Sequence, residues 1–151
     1  MKTGKKRKGR VGMWIVLSII GLIALGVGGM IVFTGAGRAE LQNMKIKAVD
    51  FHSLRDGVYT GTYHGSKDTF RDAGVEVTVA SGDVTDIKVT QGALANEKQT
   101  AEMGKGLTIG DLFHRVIKAQ SLQVDVISGA TLTSNAHLKA VEDALEKAAG
   151  K

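Results

Sequence analysis

The chain has 151 residues, with 20 Lys and Arg against 15 Asp and Glu, 20 Gly, and neither Pro nor Cys. This length fits one domain of ordinary size, and the lack of cysteine excludes disulfides, Fe–S clusters, thiolate zinc sites and cysteine nucleophiles. A formal net charge of +5 with 43% hydrophobic residues excludes a wholly disordered chain.

The positive charge is local. Residues 1–10 hold Lys2, Lys5, Lys6, Arg7, Lys8 and Arg10 and no acid, while the charges of the remainder nearly cancel. A nucleic-acid-binding domain needs a basic face on its folded part, so no nucleic-acid partner is expected. The basic tail leads instead into an uncharged stretch, Val11–Phe33, built almost wholly of Val, Ile, Leu, Met, Ala and Gly. At 1.5 Å rise per residue this stretch spans about 34 Å as a helix, enough for a hydrocarbon core of about 30 Å. A cleaved signal peptide has a shorter apolar core, about 7–15 residues, and Thr34-Gly35-Ala36 is only a mediocre cleavage site. The stretch therefore reads as an uncleaved single-pass anchor in the cytoplasmic membrane. The positive-inside rule places residues 1–10 in the cytoplasm and the rest of the chain on the outer face.

Residues 34–53 read as a linker or stalk. Within it Leu41, Met44, Ala48 and Phe51 fall at helical spacing. From residue 54 to 150 a separate domain is expected. Val58–Tyr63 is aromatic and β-branched. Val75–Val79 alternates apolar and polar residues, Ser81-Gly82-Asp83 supplies a turn, and Val84–Val89 returns. A β-meander follows from this pattern. Residues 91–106 read as a loop with a helical turn near Glu97–Met103. Thr108 and Asp111 form a capping-box signal for a helix carrying Leu112, Val116 and Ala119 on one face. Gln123–Ile127 reads as a short strand. A last helix over about 134–149 has Leu138, Val141, Leu145 and Ala148 as its apolar stripe. The fold class is α+β: one transmembrane helix followed by a small domain of antiparallel β-meander plus helices.

The segment Asp125-Val-Ile-Ser128-Gly129-Ala130-Thr131-Leu-Thr133-Ser134 carries the chemistry. It places small residues and hydroxyls between an extended segment and a helix start, where backbone N–H groups and the helix dipole favour an anion. Gly129 and Ala130 permit close approach to the backbone, and Thr131, Thr133 and Ser134 offer hydroxyls. These features alone are compatible with a phosphate-accepting or hydroxyl-modified loop, and equally with an ordinary Ser/Thr helix cap.

The pattern Asp125-x-x-Ser128-Gly129-Ala130-Thr131 followed by Thr133-Ser134 resembles the flavinylation motif of FMN-binding domain proteins. This domain type is also found in the flavin subunits of the sodium-pumping quinone reductase and Rnf complexes. Asp56-Gly-Val-Tyr59-Thr-Gly61 resembles the family's opening strand, Val75–Val89 its hairpin, and Ile117–Asp125 its approach to the motif, so the likeness spans about residues 54–148. The resemblance implies an FMN joined through its phosphate to the Thr131 side-chain oxygen. A separate, Mg-dependent flavin transferase would install it from FAD. Asp125 and Ser128 would position the loop or be read by the transferase. A Thr hydroxyl needs a base or metal to become a nucleophile, and Asp125 alone stands near it in sequence, which agrees with an external enzyme.

The resemblance thus implies a membrane-anchored flavoprotein that carries electrons between a quinol-linked or other membrane reductase and an external acceptor, rather than a stand-alone catalyst. The alternatives are the flavin subunit of a larger reductase complex, or a non-redox binding module with an unused motif. His52, His64, His114 and His137 lack metal-ligand spacing and read as surface residues. Tyr59 and Tyr63 are candidates for stacking on the isoalloxazine ring, although strand aromatics more often belong to a core.

Overall fold

The computed structural model describes residues 8–66 and 69–150, so most of the basic tail expected over 1–10 lies outside the described residues. Two compact units are present, Met1–Ala36 and Gly37–Lys151. In the first, α1 (Lys8–Gln42) begins, and its window Gly12–Gly29 has a mean hydropathy of 2.1 and contains no buried residue. One helix is therefore long and apolar enough to cross a membrane.

In the second unit, three strands form one antiparallel sheet in the order β1 (Gly57–Tyr63), β2 (Ala73–Ala80) and β3 (Asp83–Gln91) among the described residues. β2 and β3 are joined by a two-residue turn, with Ala80 paired to Asp83 and both Ser81 and Gly82 left-handed, the hairpin geometry expected from the sequence. α2 (Ile109–Ala119) follows, with the Thr108–Asp111 capping box formed in both directions, and α3 (Thr131–Ala148) ends the fold. The expected α+β class, with an apolar N-terminal helix and a β-meander plus helices, is the one observed.

α3 lies against the sheet through small residues. Ala136, Ala140, Ala144 and Ala148 recur every fourth position and are buried, so they form one face. Opposite them is Gly61 of β1, where a Cβ would sit 2.0 Å from the Ala140 carbonyl oxygen and 2.5 Å from the Ala144 nitrogen. Only glycine allows that approach. Val75, Val77 and Val79 of β2 continue the core, and Leu112, Phe113 and Val116 of α2 close it.

Both sheet edges are occupied by side chains. On β3, the Gln120 carboxamide accepts from the Val84 N–H at 2.9 Å and donates to the Val84 carbonyl at 2.8 Å, and Gln99 makes the same pair of bonds with Val89. On β1, the Thr62 N–H donates to Asp143 Oδ2 and Lys147 Nζ donates to the Thr60 carbonyl. These amides and charges satisfy backbone groups that would otherwise invite another strand. This explains one departure from expectation: Gln123–Ile127 joins no ladder, because β3 already has its partners. The segment is held instead by Arg115 donating to the Asp125 carbonyl and by Ile127 N–H donating to Ser134 Oγ.

The expected stalk is a second departure. Only its start is helical, as the end of α1, and Phe51–Ser53 forms a single 3-10 turn. Leu41 and Phe51 are buried, with Met44, Ile46 and Val49 packed on the core. The Lys47 N–H donates to Glu142 Oε2 at 3.0 Å, while Lys139 Nζ donates to Oε1 of this buried carboxylate at 2.6 Å. Asn135 Nδ2 reaches the Leu41 carbonyl at 2.8 Å. Residues 37–53 are thus part of the compact unit, because their apolar side chains gain more by burial than by spacing the domain from a bilayer.

Replacing Gly61 by Ala is expected to force α3 off the sheet and cost about 3 kcal/mol, the upper range for overpacking. Urea unfolding of the two proteins, compared at equal m-value, checks this.

Candidate functional site

The motif segment forms a turn that delivers the chain into α3. Ile127 accepts the Ala130 N–H at 3.0 Å, with Gly129 at φ +90°, a conformation that L side chains rarely adopt. A Cβ on Gly129 would meet nothing within 4 Å, so the space beside it is open. Ala130 is the N-cap and makes no side-chain cap hydrogen bond, and its carbonyl accepts the Ser134 N–H at 2.9 Å. α3 therefore starts three residues earlier than expected. Thr131 becomes its first residue, and Thr131, Leu132 and Thr133 occupy the turn whose N–H groups point out of the helix end. The first turn contains no acidic residue. An uncapped end of an 18-residue helix is a place where an anion is stabilised.

Thr131 is exposed at the rim of a cleft of about 460 Å³. Gly129, Ala130, Thr131, Leu132 and Thr133 form one wall, and Phe70, Arg71 and Asp72 from the β1–β2 connection form another. Phe70 is 80% exposed, and the Arg71 guanidinium lies 5.7 Å from its ring centroid. Asp72 Oδ2 pairs with His64 Nδ1 at 2.8 Å and Oδ1 accepts the Gly65 N–H. Burial works to raise the Asp72 pKa, but the His64 contact and the Gly65 N–H outweigh it and hold the carboxyl below its usual range. Ala93, Gln42, Ala136 and His137 complete the lining.

The predicted site residues divide accordingly. Gly129, Ala130, Thr131 and Thr133 come together in the cleft. Ser134 lies beneath it, fully buried, its Oγ committed to the Ile127 N–H. Asp125 and Ser128 are exposed, and Asp125 borders other surface hollows, beside Arg115 and Gln123. Tyr59 and Tyr63 are absent from the cleft lining. Their hydroxyls donate to the Arg55 carbonyl and to Glu40, and the ring of Tyr63 is core.

His137 overturns its reading as a surface residue. It is only 3% exposed and its ring lies 6.3 Å from that of Phe113. Nδ1 bonds the Thr133 carbonyl at 2.8 Å, whereas Nε2 is buried with no hydrogen-bond partner among the described residues. Burial pushes its pKa below 6.5, against the opposing pull of the Thr133 carbonyl. A signal for this was present, since positions 134, 137, 141, 144 and 148 share a helix face. Phe70 and Arg71 carried no such signal, because only the folding of the β1–β2 connection brings them opposite Thr131.

The family model for the FMN-binding domain matches residues 71–146, half of the chain and all of the motif segment. The chain belongs to the FMN-binding domain family. The crystal structure of the CPE2226 protein from Clostridium perfringens is similar to this chain at 31% identity, covering 63% of this chain and 88% of that one, with a TM-score of 0.47. No curated protein matches the chain.

The cleft residues fit the family's flavin nucleotide. The uncapped α3 start and Arg71 suit its phosphate, the open space at Gly129 suits a bulky substituent near Thr131, and Phe70 and Leu132 offer apolar surface to a ring. His137 is among the lining residues, and its Nε2 is buried without a hydrogen-bond partner among the described residues.

A pH dependence follows from His137. Its folded pKa is depressed, so the unfolded chain takes up a proton first. The stability contributed by keeping the ring neutral is complete above about pH 7 and is lost as pH falls below 6.5 toward the folded value. Asp72, Asp111 and Asp143 have lowered pKa values, so their contribution is lost only below about pH 4. Melting temperatures at pH 7.5, 6 and 5 are expected to fall in wild type, and His137→Asn should flatten that slope.

Proposed function

We propose that this FMN-binding domain protein carries FMN covalently on Thr131 and transfers electrons at the outer face of the cytoplasmic membrane, between a membrane reductase and an external acceptor. The observation that carries this reading is the position of Thr131. It is an exposed hydroxyl on the first turn of an uncapped helix, at the rim of a cleft, inside a family-matched segment. Bound FMN supplies one- and two-electron transfer, the chemistry that the side chains themselves lack.

The residues divide the work. The Thr131 oxygen is the tether, the α3 N-terminus and Arg71 counter the negative charge of the phosphodiester, and Phe70 and Leu132 shield one side of the ring from water. Attachment forms the Oγ–P bond as the pyrophosphate bond of FAD breaks and AMP leaves. Asp125 is not part of the cleft lining, and in this reading a separate flavin transferase supplies the base that takes the threonine proton. Exposure of Ser128 and Asp125 leaves them open to be read by that enzyme. The apolar helix Gly12–Gly29 moors the domain, and the basic tail on its N-terminal side keeps that end in the cytoplasm. A covalent tether suits this location, because a carrier facing open medium would lose a dissociating cofactor.

Co-expression with a flavin transferase, followed by denaturing electrophoresis, tests the tether. Wild type and, more weakly, Thr131→Ser should give a fluorescent band, and Thr131→Ala should give none while its melting temperature changes little, since an exposed hydroxyl contributes within about 0.5 kcal/mol. A fluorescent Thr131→Ala band would move the attachment elsewhere. Deletion of residues 1–36 is expected to move the flavinylated domain from the membrane to the soluble fraction, followed by its absorbance.

A further inference from the structure

The imidazole of His137 is held in one state by its surroundings. The Thr133 carbonyl can only accept a hydrogen bond, so Nδ1 carries the proton that binds it at 2.8 Å. Burial favours the neutral ring. Nε2 therefore presents a bare lone pair. It is buried, has no partner among the described residues, and belongs to a side chain that lines the cleft holding Thr131. Phe113 flanks the ring with its own ring tilted by 56° and limits its rotation. A buried acceptor left unmatched is costly in a folded protein and calls for a donor.

The spacing suits a donor on the tethered group. Six residues separate Thr131 from His137, about 9 Å along α3, and both line the same cleft. That distance lies beyond a phosphate on Thr131 and within reach of the ribityl chain or ring edge of FMN.

We propose that His137 is a positioning residue for the flavin, its Nε2 accepting a hydrogen bond from an O–H or N–H of FMN beyond the phosphate. The inference rests on the reading of Thr131 as the tether, and it assigns a second point of attachment. The phosphodiester fixes one end of the nucleotide, and the hydrogen bond to His137 fixes its direction along the cleft. Asn at 137 keeps a donor for the Thr133 carbonyl in the place of Nδ1 but removes the outer acceptor, whereas Gln restores a polar group at the place of Nε2.

The test uses the full chain, flavinylated in cells with a transferase. Wild type, His137→Asn and His137→Gln should give equally fluorescent bands after denaturation, because the tether is Thr131. In the folded state, flavin fluorescence anisotropy should fall in His137→Asn and recover in His137→Gln. Imidazole ¹⁵N NMR of otherwise wild-type protein, which needs no variant at 137, should show Nε2 as a bare acceptor before flavinylation and as a hydrogen-bonded one after it. An unchanged Nε2 resonance, or equal anisotropy in wild type and His137→Asn, overturns the assignment. A wild-type band without fluorescence rejects the tether reading instead. Added FMN then tests His137 by itself: binding about 2- to 10-fold weaker in His137→Asn supports the contact, and equal binding rejects it.

Discussion

The contact between Gly61 and the alanine face of α3 sets the geometry on which the rest depends. A helix packed on a sheet through Ala140 and Ala144, against a residue with no side chain, comes closer than larger residues would permit. Rows of residues four apart also fix the rotation of the helix about its axis. Once Ala136, Ala140, Ala144 and Ala148 face the sheet, Thr131 and Thr133 are carried to one end of it. His137 is carried to the wall between that end and α2. Thr131 and the His137 imidazole belong to one rigid element, so their spacing is a property of the helix and does not vary with loop motion.

The charges of α3 serve the same arrangement. Asp143 and Lys147 pair at 2.8 Å and reach the outer edge of β1. Glu142, buried, binds Lys139 and the backbone of Lys47. A carboxylate buried at this depth is tolerated because its oxygens are matched by donors, and removal of either donor would leave an uncompensated charge. Through these contacts α3 holds an edge strand, the segment 41–50 and the cleft at once. On the opposite edge, Gln99 and Gln120 complete the hydrogen bonding of β3. Among the described residues the sheet therefore stays three-stranded, and Gln123–Ile127 remains outside the ladder.

The legible parts of the fold were those in which a local pattern has one outcome. Alternation in Val75–Val79 and the Ser81-Gly82 turn specify a hairpin whatever packs on it. Thr108 and Asp111 specify a helix start because both bonds of the box lie within four residues. Segments whose outcome depends on a neighbour were misjudged. Gln123–Ile127 has strand-forming residues but no open edge to join. Leu41, Met44 and Phe51 show helical spacing, yet only Leu41 lies on an α-helix, the end of α1, and Met44 and Phe51 pack on the core as part of a strap bonded to α3. In the candidate site, the turn at Gly129 and the hydroxyls that follow it are legible because a glycine turn before a helix has a characteristic composition. Composition alone does not show that the Ser134 hydroxyl is buried and bonded to the Ile127 N–H.

The sequence by itself determined the apolar span, the hairpin, the capped helix and the hydroxyl-bearing turn, because each is written within a few consecutive residues and obeys backbone geometry alone. Only the tertiary structure decided that Phe70 and Arg71 stand across from Thr131, and that His137 is buried with one nitrogen unmatched. The physical reason lies in α3, which is covered on more than one face: Leu138, Val141 and Leu145 are buried as fully as the alanine row. On such a helix the periodicity gives the position of every residue around the axis, but what each position meets depends on segments distant in the chain.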